Sequence, residues 1–418
     1  MRTVLAVAAA VTAALLAGTA TVVLVARATG AAGPALAAGG VVELLVAGGG
    51  LALAARRSPL RRVAVGVGTA ALVALSALAV LVPADSGSAA APVPGQAFWE
   101  LPTGSRIRYV HLPARTRPAH PSPVVFLHGG PGISDLARDS RFTGRLTADG
   151  YEVYAYDQLG TGASGRLADP AGYDVARDVA DLEQIRRRIG VDRLVLVGHS
   201  YGGLLAASYL AAHPDRVERM VLLSPAALDP ADRSAAGLQQ HLGVAERLRV
   251  YAQLARPRAL LGYTLLQVAP RAAHDFFPDA EADARNDRVL EASEPALHCP
   301  EAGRPHRRRD HEGFYRLQYP QSAAAPAQPD PRPRITGRAV PVLVVKGSCD
   351  YLSWHSALDY RAVLPNATLV YLTGAGHDVH EDRPGAVLAT VRAFLAAAPL
   401  PFAPFRGSAV PAGYQGPP

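Results

Sequence analysis

The stretch at residues 193–210, RLVLVGHSYGGLLAASYL, constrains the fold of this chain more than any other. Residues 194–197 form a short apolar run typical of a buried parallel strand, and the small residues that follow Gly203 are typical of a helix. Between them lies the pattern G-x-S-x-G, with Ser200 between Gly198 and Gly202. A tight strand-to-helix turn lifts the serine hydroxyl above the sheet edge. We therefore predict that Ser200 is a nucleophile rather than a solvated serine in a glycine-rich turn.

Strands and helices alternate along the rest of the globular region. The segments 98–101 and 106–111 flank a turn signal and predict a hairpin. An apolar period near 3.6 predicts a helix at 174–189, and a second helix is expected at 388–397. Short apolar runs predict further strands at 124–127, 151–156, 219–223, 342–346 and 368–372. This alternation predicts an α/β fold with a mostly parallel sheet and helices on both faces.

Composition shifts divide the chain into segments. The alternation breaks at 225–340, which is too long for a simple connection and is predicted to be an inserted helical lid. It separates the two parts of the core, 98–224 and 341–398. We interpret the run Arg307–Arg309 inside it as a solvated face. Residues 86–97 read as a linker, and the Pro/Gly-rich residues 399–418 are predicted to be a disordered tail.

Residues 1–85 are predicted to be a membrane anchor of three helices. The segments 4–26, 31–55 and 63–82 are each long and apolar enough to span a bilayer, and Glu43 is the one charged residue within them. We interpret Glu43 as a carboxylate packed into the helix bundle. Four arginines, at 56, 57, 61 and 62, lie between the second and third segments, against Arg27 alone in the other short loop. The positive-inside rule then places the four-arginine loop and the N-terminus in the cytoplasm, and everything after Pro83 on the extracellular side.

Charge and cysteine content exclude several other classes. The net charge of +7 is not gathered into a basic stripe with interleaved aromatic residues, so we expect no nucleic-acid partner. No segment has the spacing of a metal site or of a nucleotide-binding loop, and neither a metal nor a cofactor is predicted. Cys299 and Cys349 are the two cysteines of the chain and leave one disulfide possible in an oxidising compartment.

Two further residues complete a predicted catalytic triad. Asp350 follows the strand at 342–346, and His377 follows the strand at 368–372. Both positions lie just past carboxyl ends of strands, where such a sheet places its chemistry. A serine hydroxyl needs an imidazole to take its proton, and the imidazole needs a carboxylate to fix its tautomer. Asp229 is the reserve acid and His380 the reserve base.

The oxyanion hole is predicted from two backbone N–H groups. One belongs to Tyr201, directly after the nucleophile, and the other to Gly130, in the loop after the strand at 124–127. Glycine at 129 and 130 allows a close approach of the backbone. His128 and His199 are interpreted as structural residues.

The motifs together resemble those of the prolyl aminopeptidase (proline iminopeptidase) family of α/β hydrolases over residues 98–398. They are HGGPG at 128–132, DQLGTGAS at 157–164, GHSYGG at 198–203, GSCD at 347–350 and GAGH at 374–377. The resemblance implies the α/β-hydrolase fold, the triad of Ser200, Asp350 and His377, and an acyl-enzyme formed from peptides with a free N-terminus. The family usually has GGSWG where this chain has GHSYG, the form common among esterases.

Three functions therefore remain open at this point. The leading one is a membrane-anchored aminopeptidase, the second is a carboxylesterase or lipase-like hydrolase of acyl esters, and the third is a non-catalytic membrane-bound binding protein. An aminopeptidase needs carboxylates that bind the free amine of a small peptide, whereas an ester substrate needs an apolar tunnel. The lid carries acids that could serve the first: Asp279, Glu281, Asp283, Asp287, Glu291, Glu294 and Glu301.

Overall fold

A computed structural model describes residues 2–54, 59–83, 90–300 and 311–418. Its centre is an eight-stranded sheet with the strand order β1-β2-β4-β3-β5-β6-β7-β8. The strands are β1 Gln96–Glu100, β2 Arg106–Leu112, β3 Val124–Leu127, β4 Val153–Tyr156, β5 Leu194–His199, β6 Val217–Leu223, β7 Val342–Gly347 and β8 Ala367–Leu372. Strands β1 and β2 pair antiparallel, as do β2 and β4, and the remaining pairs are parallel. The predicted hairpin and mostly parallel sheet are confirmed.

Helices cover both faces of this sheet. They are α4 Leu136–Thr143, α5 Val175–Ile189, α6 Tyr201–Ala212, α13 His355–Val363, α14 Val379–Asp382 and α15 Pro384–Leu395. Side chains of one strand alternate between the two faces. In β5, Leu194 and Leu196 belong to a buried cluster with residues of α6, whereas Val195 and Val197 pack in a second cluster with residues of α15. The sheet is therefore buried on both sides, as continuous apolar strands require.

The described residues between β6 and β7 form helices and no strand. These helices are α7 Val244–Leu254, α8 Pro257–Leu266, α9 Pro270–Phe276, α10 Asp279–Ser293, α11 Phe314–Gln318 and α12 Arg332–Ile335. We refer to residues 225–340 as the insertion. The Arg307–Arg309 run and Glu301 lie outside the described residues.

Three helices precede the sheet: α1 Arg2–Thr29, α2 Ala32–Ala54 and α3 Pro59–Leu81. Helices α1 and α2 approach closely, because a Cβ at Gly39 would lie 2.3 Å from Val22 Cγ2. Glu43 of α2 faces α1, since a Cβ at Gly18 of α1 would lie 3.0 Å from the Glu43 Cβ. Small residues at such contacts are typical of helices that pack inside membranes.

Among the described residues, two helices are candidate membrane spans, whereas the sequence predicts three. Leu5–Thr29 and Ala32–Gly50 are long and apolar enough to cross a membrane. In α3 the described apolar stretch, Gly66–Leu81, is shorter than the roughly 18–20 residues that a span needs. In the four-arginine loop, positions 56 and 57 lie outside the described residues, and so do residues 86–89 of the predicted linker.

The C-terminal tail differs from the sequence-based expectation of disorder. Its aromatic rings pack on the core, where Phe405 and Tyr414 contact Trp354 at ring-centroid distances of 5.0 and 5.3 Å. Its backbone is also held, because Gln415 N–H donates to Ser348 O at 2.8 Å and Trp354 N–H donates to Pro417 O at 2.9 Å. The tail thereby lies beside the loop that carries Asp350.

Candidate active site

Ser200 occupies a strained turn between β5 and α6. Its backbone has φ 52° and ψ −117°, in a region that L-residues rarely adopt. The flanking glycines make this turn possible. A Cβ at Gly198 would lie 2.3 Å from Gly202 O, and a Cβ at Gly202 would lie 1.9 Å from Leu127 O in β3. Any larger residue at either position would push the turn away from the sheet, so the motif determines where the Ser200 hydroxyl lies.

The predicted acid and base lie together past the ends of β7 and β8. His377 Nδ1 lies 2.8 Å from Asp350 Oδ1, and both side chains are buried. A carboxylate only accepts hydrogen bonds, so the Nδ1–H group of His377 donates to Asp350. This tautomer leaves Nε2 as the nitrogen that can accept a proton. The arrangement is the one that a general base of the predicted triad requires.

Lys346, the single lysine of the chain, neutralises Asp350 from the other side. Its Nζ lies 2.7 Å from Asp350 Oδ2, and neither side chain is exposed. Burial alone raises the pKa of Asp350, but the Lys346 ammonium and the His377 ring outweigh it and hold that pKa below its usual range. Asp350 is therefore ionised at neutral pH. The sequence analysis did not assign this role, although a lysine four residues before the acid, at the end of a strand, was a usable signal.

A second His–Asp pair holds the backbone of the loop that carries His377. His199 Nε2 lies 3.2 Å from the His377 carbonyl oxygen and 3.2 Å from Asp378 Oδ1. Burial lowers the pKa of His199 to about 4, although Asp378 opposes this effect. The ring is thus neutral and can donate one hydrogen from Nε2. His199 positions His377 through its main chain, in keeping with the structural role expected from the sequence.

The two predicted oxyanion donors lie on elements that meet at Ser200. Tyr201 is the first residue of α6, and the first N–H groups of a helix have no partner within the helix. Gly130 has φ +109°, and a Cβ there would lie 2.7 Å from the backbone nitrogens of Gly132 and Ile133. Its neighbour Gly129 faces Ser200, since a Cβ at Gly129 would lie 3.0 Å from Ser200 Cβ. The HGGPG loop and the nucleophile turn are thus adjacent.

The side chain of Tyr201 links the turn that carries Ser200 to the insertion. Its hydroxyl donates to Asp178 Oδ2 of α5 at 2.6 Å. Arg316 of α11 is fully buried, pairs with the same carboxylate and reaches the Tyr201 hydroxyl at 3.1 Å. A charged arginine is buried only at high cost unless it is paired, so this contact fixes α11 beside the site. Sequence analysis did not identify Arg316 or Asp178.

The reserve residues take other roles in the structure. Asp229 pairs with Arg332 at 3.3 Å on a partly exposed surface rather than with a histidine. His380 is buried, with its ring 5.0 Å from that of His199, and neither ring nitrogen has a hydrogen-bond partner among the described residues. His128 is also structural, because its Nε2 accepts from Gln158 N–H and its Nδ1 donates to Gly129 O, each at 2.9 Å.

The insertion contacts the loops that carry the site. Gly313 N–H donates to Gly132 O at 2.9 Å, and Ser134 N–H donates to Glu312 Oε2 at 2.7 Å. Near the histidine, Asp378 N–H donates to Leu297 O at 3.2 Å. These contacts place the insertion over the carboxyl edge of the sheet.

A disulfide joins the insertion to the acid loop. Cys299 and Cys349 are bonded, with a Cα–Cα distance of 5.2 Å. Cys349 directly precedes Asp350, so the bond ties this part of the insertion to the residue before the predicted catalytic acid. The sequence had left this pairing open.

One buried cluster beside the site contains groups that also occur as metal ligands. The ligand atoms of Glu294, His298 and Asp378 lie within 4.8 Å of one another. However, His298 Nδ1 lies 2.7 Å from Asp382 Oδ1 and its Nε2 lies 3.3 Å from Glu294 Oε1. Burial lowers the pKa of His298, but these two carboxylates raise it to about 10. Both ring nitrogens of His298 thus contact carboxylates, and the cluster forms an ion-pair network in this structure.

Comparisons with known proteins agree with this architecture. A family model described as "alpha/beta hydrolase fold" matches residues 122–384. A proline iminopeptidase of Heyndrickxia coagulans is 38% identical over 104 residues, which cover 25% of this chain and 35% of that relative. A (lyso)-N-acylphosphatidylethanolamine lipase of Bos taurus is 28% identical over 303 residues, which cover 69% of this chain and 82% of the lipase. The crystal structure of a bacterial membrane phospholipase A superposes with a TM-score of 0.50 at 22% identity, over 86% of this chain and 97% of that one, a likeness of fold alone.

Proposed function

This chain belongs to the α/β hydrolase family, and from that premise we propose that it is a membrane-anchored serine hydrolase with the triad Ser200, His377 and Asp350. The observation that carries the proposal is the contact of 2.8 Å between His377 Nδ1 and Asp350 Oδ1 at the sheet edge where the strained Ser200 turn lies. Asp350, kept ionised by Lys346, stabilises the imidazolium that forms during the reaction.

The proposed reaction proceeds through an acyl-enzyme. His377 Nε2 takes the proton of the Ser200 hydroxyl while Oγ attacks the substrate carbonyl, and the N–H groups of Gly130 and Tyr201 stabilise the resulting oxyanion. Collapse expels the leaving group, which receives the proton from His377. Water then attacks the acyl-enzyme by the same route, releases the acid product and restores the Ser200 hydroxyl.

The pairing of carboxylates in the insertion favours an acyl ester as the substrate. An aminopeptidase would need an acid that is open to a free amine, and the six described acids that the sequence analysis named for this role are engaged within the protein. Asp279 pairs with His274, Glu281 with Arg258, Asp283 with Arg166, Glu294 with His298, and Asp287 accepts the N–H groups of His311 and Glu312. Glu291 is not free either. The alignment with the lipase of Bos taurus, which covers 69% of this chain, also supports an ester substrate.

Aminopeptidase activity is the second candidate, because the HGGPG loop and the proline iminopeptidase match support it. A substrate panel separates the two. The full chain in detergent is assayed on p-nitrophenyl acyl esters and on prolyl and other aminoacyl p-nitroanilides, with Ser200→Ala as the control. We expect ester hydrolysis that the variant lacks. Turnover confined to aminoacyl anilides would favour the second candidate, and no turnover with no fluorophosphonate labelling would favour a binding protein.

We also propose that the hydrolase domain lies outside the cell. The four-arginine loop at 56–62 supports this placement by the positive-inside rule. The Cys299–Cys349 disulfide supports it independently, because disulfides persist in oxidising compartments. A third span, contributed by α3, is part of this proposal. The partners would then be the lipid bilayer and a small ester or peptide substrate.

A further inference from the structure

The insertion carries an apolar face that the fold does not cover. Val244, Leu248 and Tyr251 of α7 are exposed by 66%, 63% and 51%. Their spacing of four and three residues places them on one side of the helix. Leu260 of α8 is exposed by 57%. We call these four residues the apolar face.

A neighbouring side of α7, about 100° around the helix axis, is also apolar and packs inward. Val250 is buried and Leu254 is half-buried, in a cluster with Leu242 and Ala296. An ordinary surface helix shows an apolar stripe toward the core and polar residues toward water. The apolar sector of α7 is wider than the part that packs inward, so its exposed part requires an apolar environment that the described part of the chain does not provide.

The place of the apolar face in the fold identifies that environment. Helix α8 packs against α1 and α3, and α9 packs against α2. Arg258 of α8 donates to the carbonyl oxygen of Val80, near the end of α3, at 2.9 Å. Ala26 of α1 and Ala32 of α2 belong to the same buried cluster as Ala259 of α8. The insertion therefore rests on the ends of the helices that we propose to cross the membrane, where the lipid headgroups begin.

The charges next to the apolar face fit that position. Arg247 and Arg249 of α7 are exposed, and so is Arg256, which precedes α8. Helices that lie in a membrane interface combine a buried apolar side with lysine or arginine that contacts anionic headgroups. Glu246 is the one acid on α7.

We propose that the apolar face lies in the outer leaflet of the same bilayer that the N-terminal helices cross. The insertion then contacts the membrane at α7 and α8 and the active site at α11 and at the Leu297 carbonyl. This inference rests on the proposed function for its consequence, which is that the acyl ester is an amphiphile of the bilayer. Such a substrate would reach Ser200 from the leaflet without passing through bulk water.

A fluorescent probe tests the membrane contact without any reference to activity. The full chain with Leu248→Cys is labelled with an NBD fluorophore under non-reducing conditions, which keep the Cys299–Cys349 bond, and is reconstituted in phosphatidylcholine/phosphatidylglycerol vesicles. Asp192→Cys is the matched control, because its side chain is 99% exposed and precedes β5, at the edge of the sheet opposite the insertion. We expect lipids with a headgroup-proximal nitroxide to quench the Leu248 probe several-fold more than the control.

Equal quenching at the two positions would overturn the proposal. A second result would also overturn it: a Leu248 probe that is shielded from water but not quenched by lipid, in a protein that forms dimers. The apolar face would then bind a second copy of the chain.

A kinetic experiment tests the consequence for the substrate. Leu248→Glu with Tyr251→Glu should lower turnover of a vesicle-embedded acyl ester about tenfold and leave a water-soluble ester unaffected, and equal losses would refute entry from the leaflet. If the unmodified chain hydrolyses neither ester, the proposed function fails while the probe still decides the membrane contact.

Discussion

Replacement of Lys346 by methionine should destabilise the hydrolase domain and impair its chemistry. The substitution removes the cation that lies 2.7 Å from Asp350 Oδ2 and leaves the aliphatic volume largely filled. Neither side chain is exposed, so water cannot replace the lost partner. Removal of one member of a buried ion pair typically costs about 3–5 kcal/mol, and we expect a loss of that size in the free energy of unfolding at pH 7.

The pH dependence of this loss identifies its cause. In the unmodified chain the pKa of Asp350 is lowered, so the pair contributes stability above the ordinary carboxyl pKa of about 4 and loses it as the pH falls further. In Lys346→Met the pKa of Asp350 should rise, because burial raises it and the Lys346 ammonium that lowers it is absent. The difference in the free energy of unfolding between the unmodified chain and Lys346→Met should thus shrink as the pH falls through the ordinary carboxyl range and Asp350 is protonated.

Urea unfolding in detergent, followed by tryptophan fluorescence, measures the difference, because Trp99 and Trp354 are both buried. Arg332→Met is the matched control. Arg332 pairs with Asp330 at a partly exposed site, and loss of such a surface pair costs about 0–1 kcal/mol. The rate of fluorophosphonate labelling should also fall in Lys346→Met but not in the control. A loss in Lys346→Met no larger than in the control would refute our account of how Asp350 is kept ionised.

Three further predictions concern pH, topology and the tail. The pKa of His298 is raised to about 10, so protonated His298 should stabilise the fold relative to His298→Gln. This gain in the free energy of unfolding should be complete below pH about 6.5 and vanish between about 6.5 and 10. A pH-independent difference in urea midpoints between the two proteins would contradict this. An alkaline phosphatase fusion after Pro94 should be active and one after Ser58 silent, and the reverse pattern would place the enzyme in the cytoplasm. Deletion of residues 399–418 should lower the thermal unfolding temperature, since Tyr414 packs on Trp354; an unchanged temperature would show that the tail contributes nothing.

The fold and the relative places of Ser200, Asp350 and His377 could be predicted from the sequence because local constraints encode them. Close backbone approaches at Gly198 and Gly202 leave no room for another residue, so the nucleophile turn is visible as a motif. The parallel strands bring their carboxyl ends to one edge, and the residues that follow β7 and β8 therefore meet there.

The features that could not be predicted depend on partners distant in the sequence. Arg316 and Asp178 pair across 138 positions, and neither residue type nor spacing indicates this contact. The Pro/Gly-rich composition of the tail predicts disorder, whereas two aromatic residues, Phe405 and Tyr414, pack it against Trp354. The sequence predicts a third span at 63–82, and the described apolar stretch of α3 covers Gly66–Leu81 of it.

The measurement that tests the central claim most directly is the site of covalent modification by a fluorophosphonate. The full chain is treated with the probe in detergent and digested, and the modified peptide is identified by mass spectrometry. We predict a single adduct on Ser200, absent in Ser200→Ala, which should also lose nearly all turnover, since removal of such a nucleophile costs roughly a millionfold in kcat. An adduct on another serine, or a Ser200→Ala variant that keeps about a tenth of the activity, would contradict the assignment of Ser200.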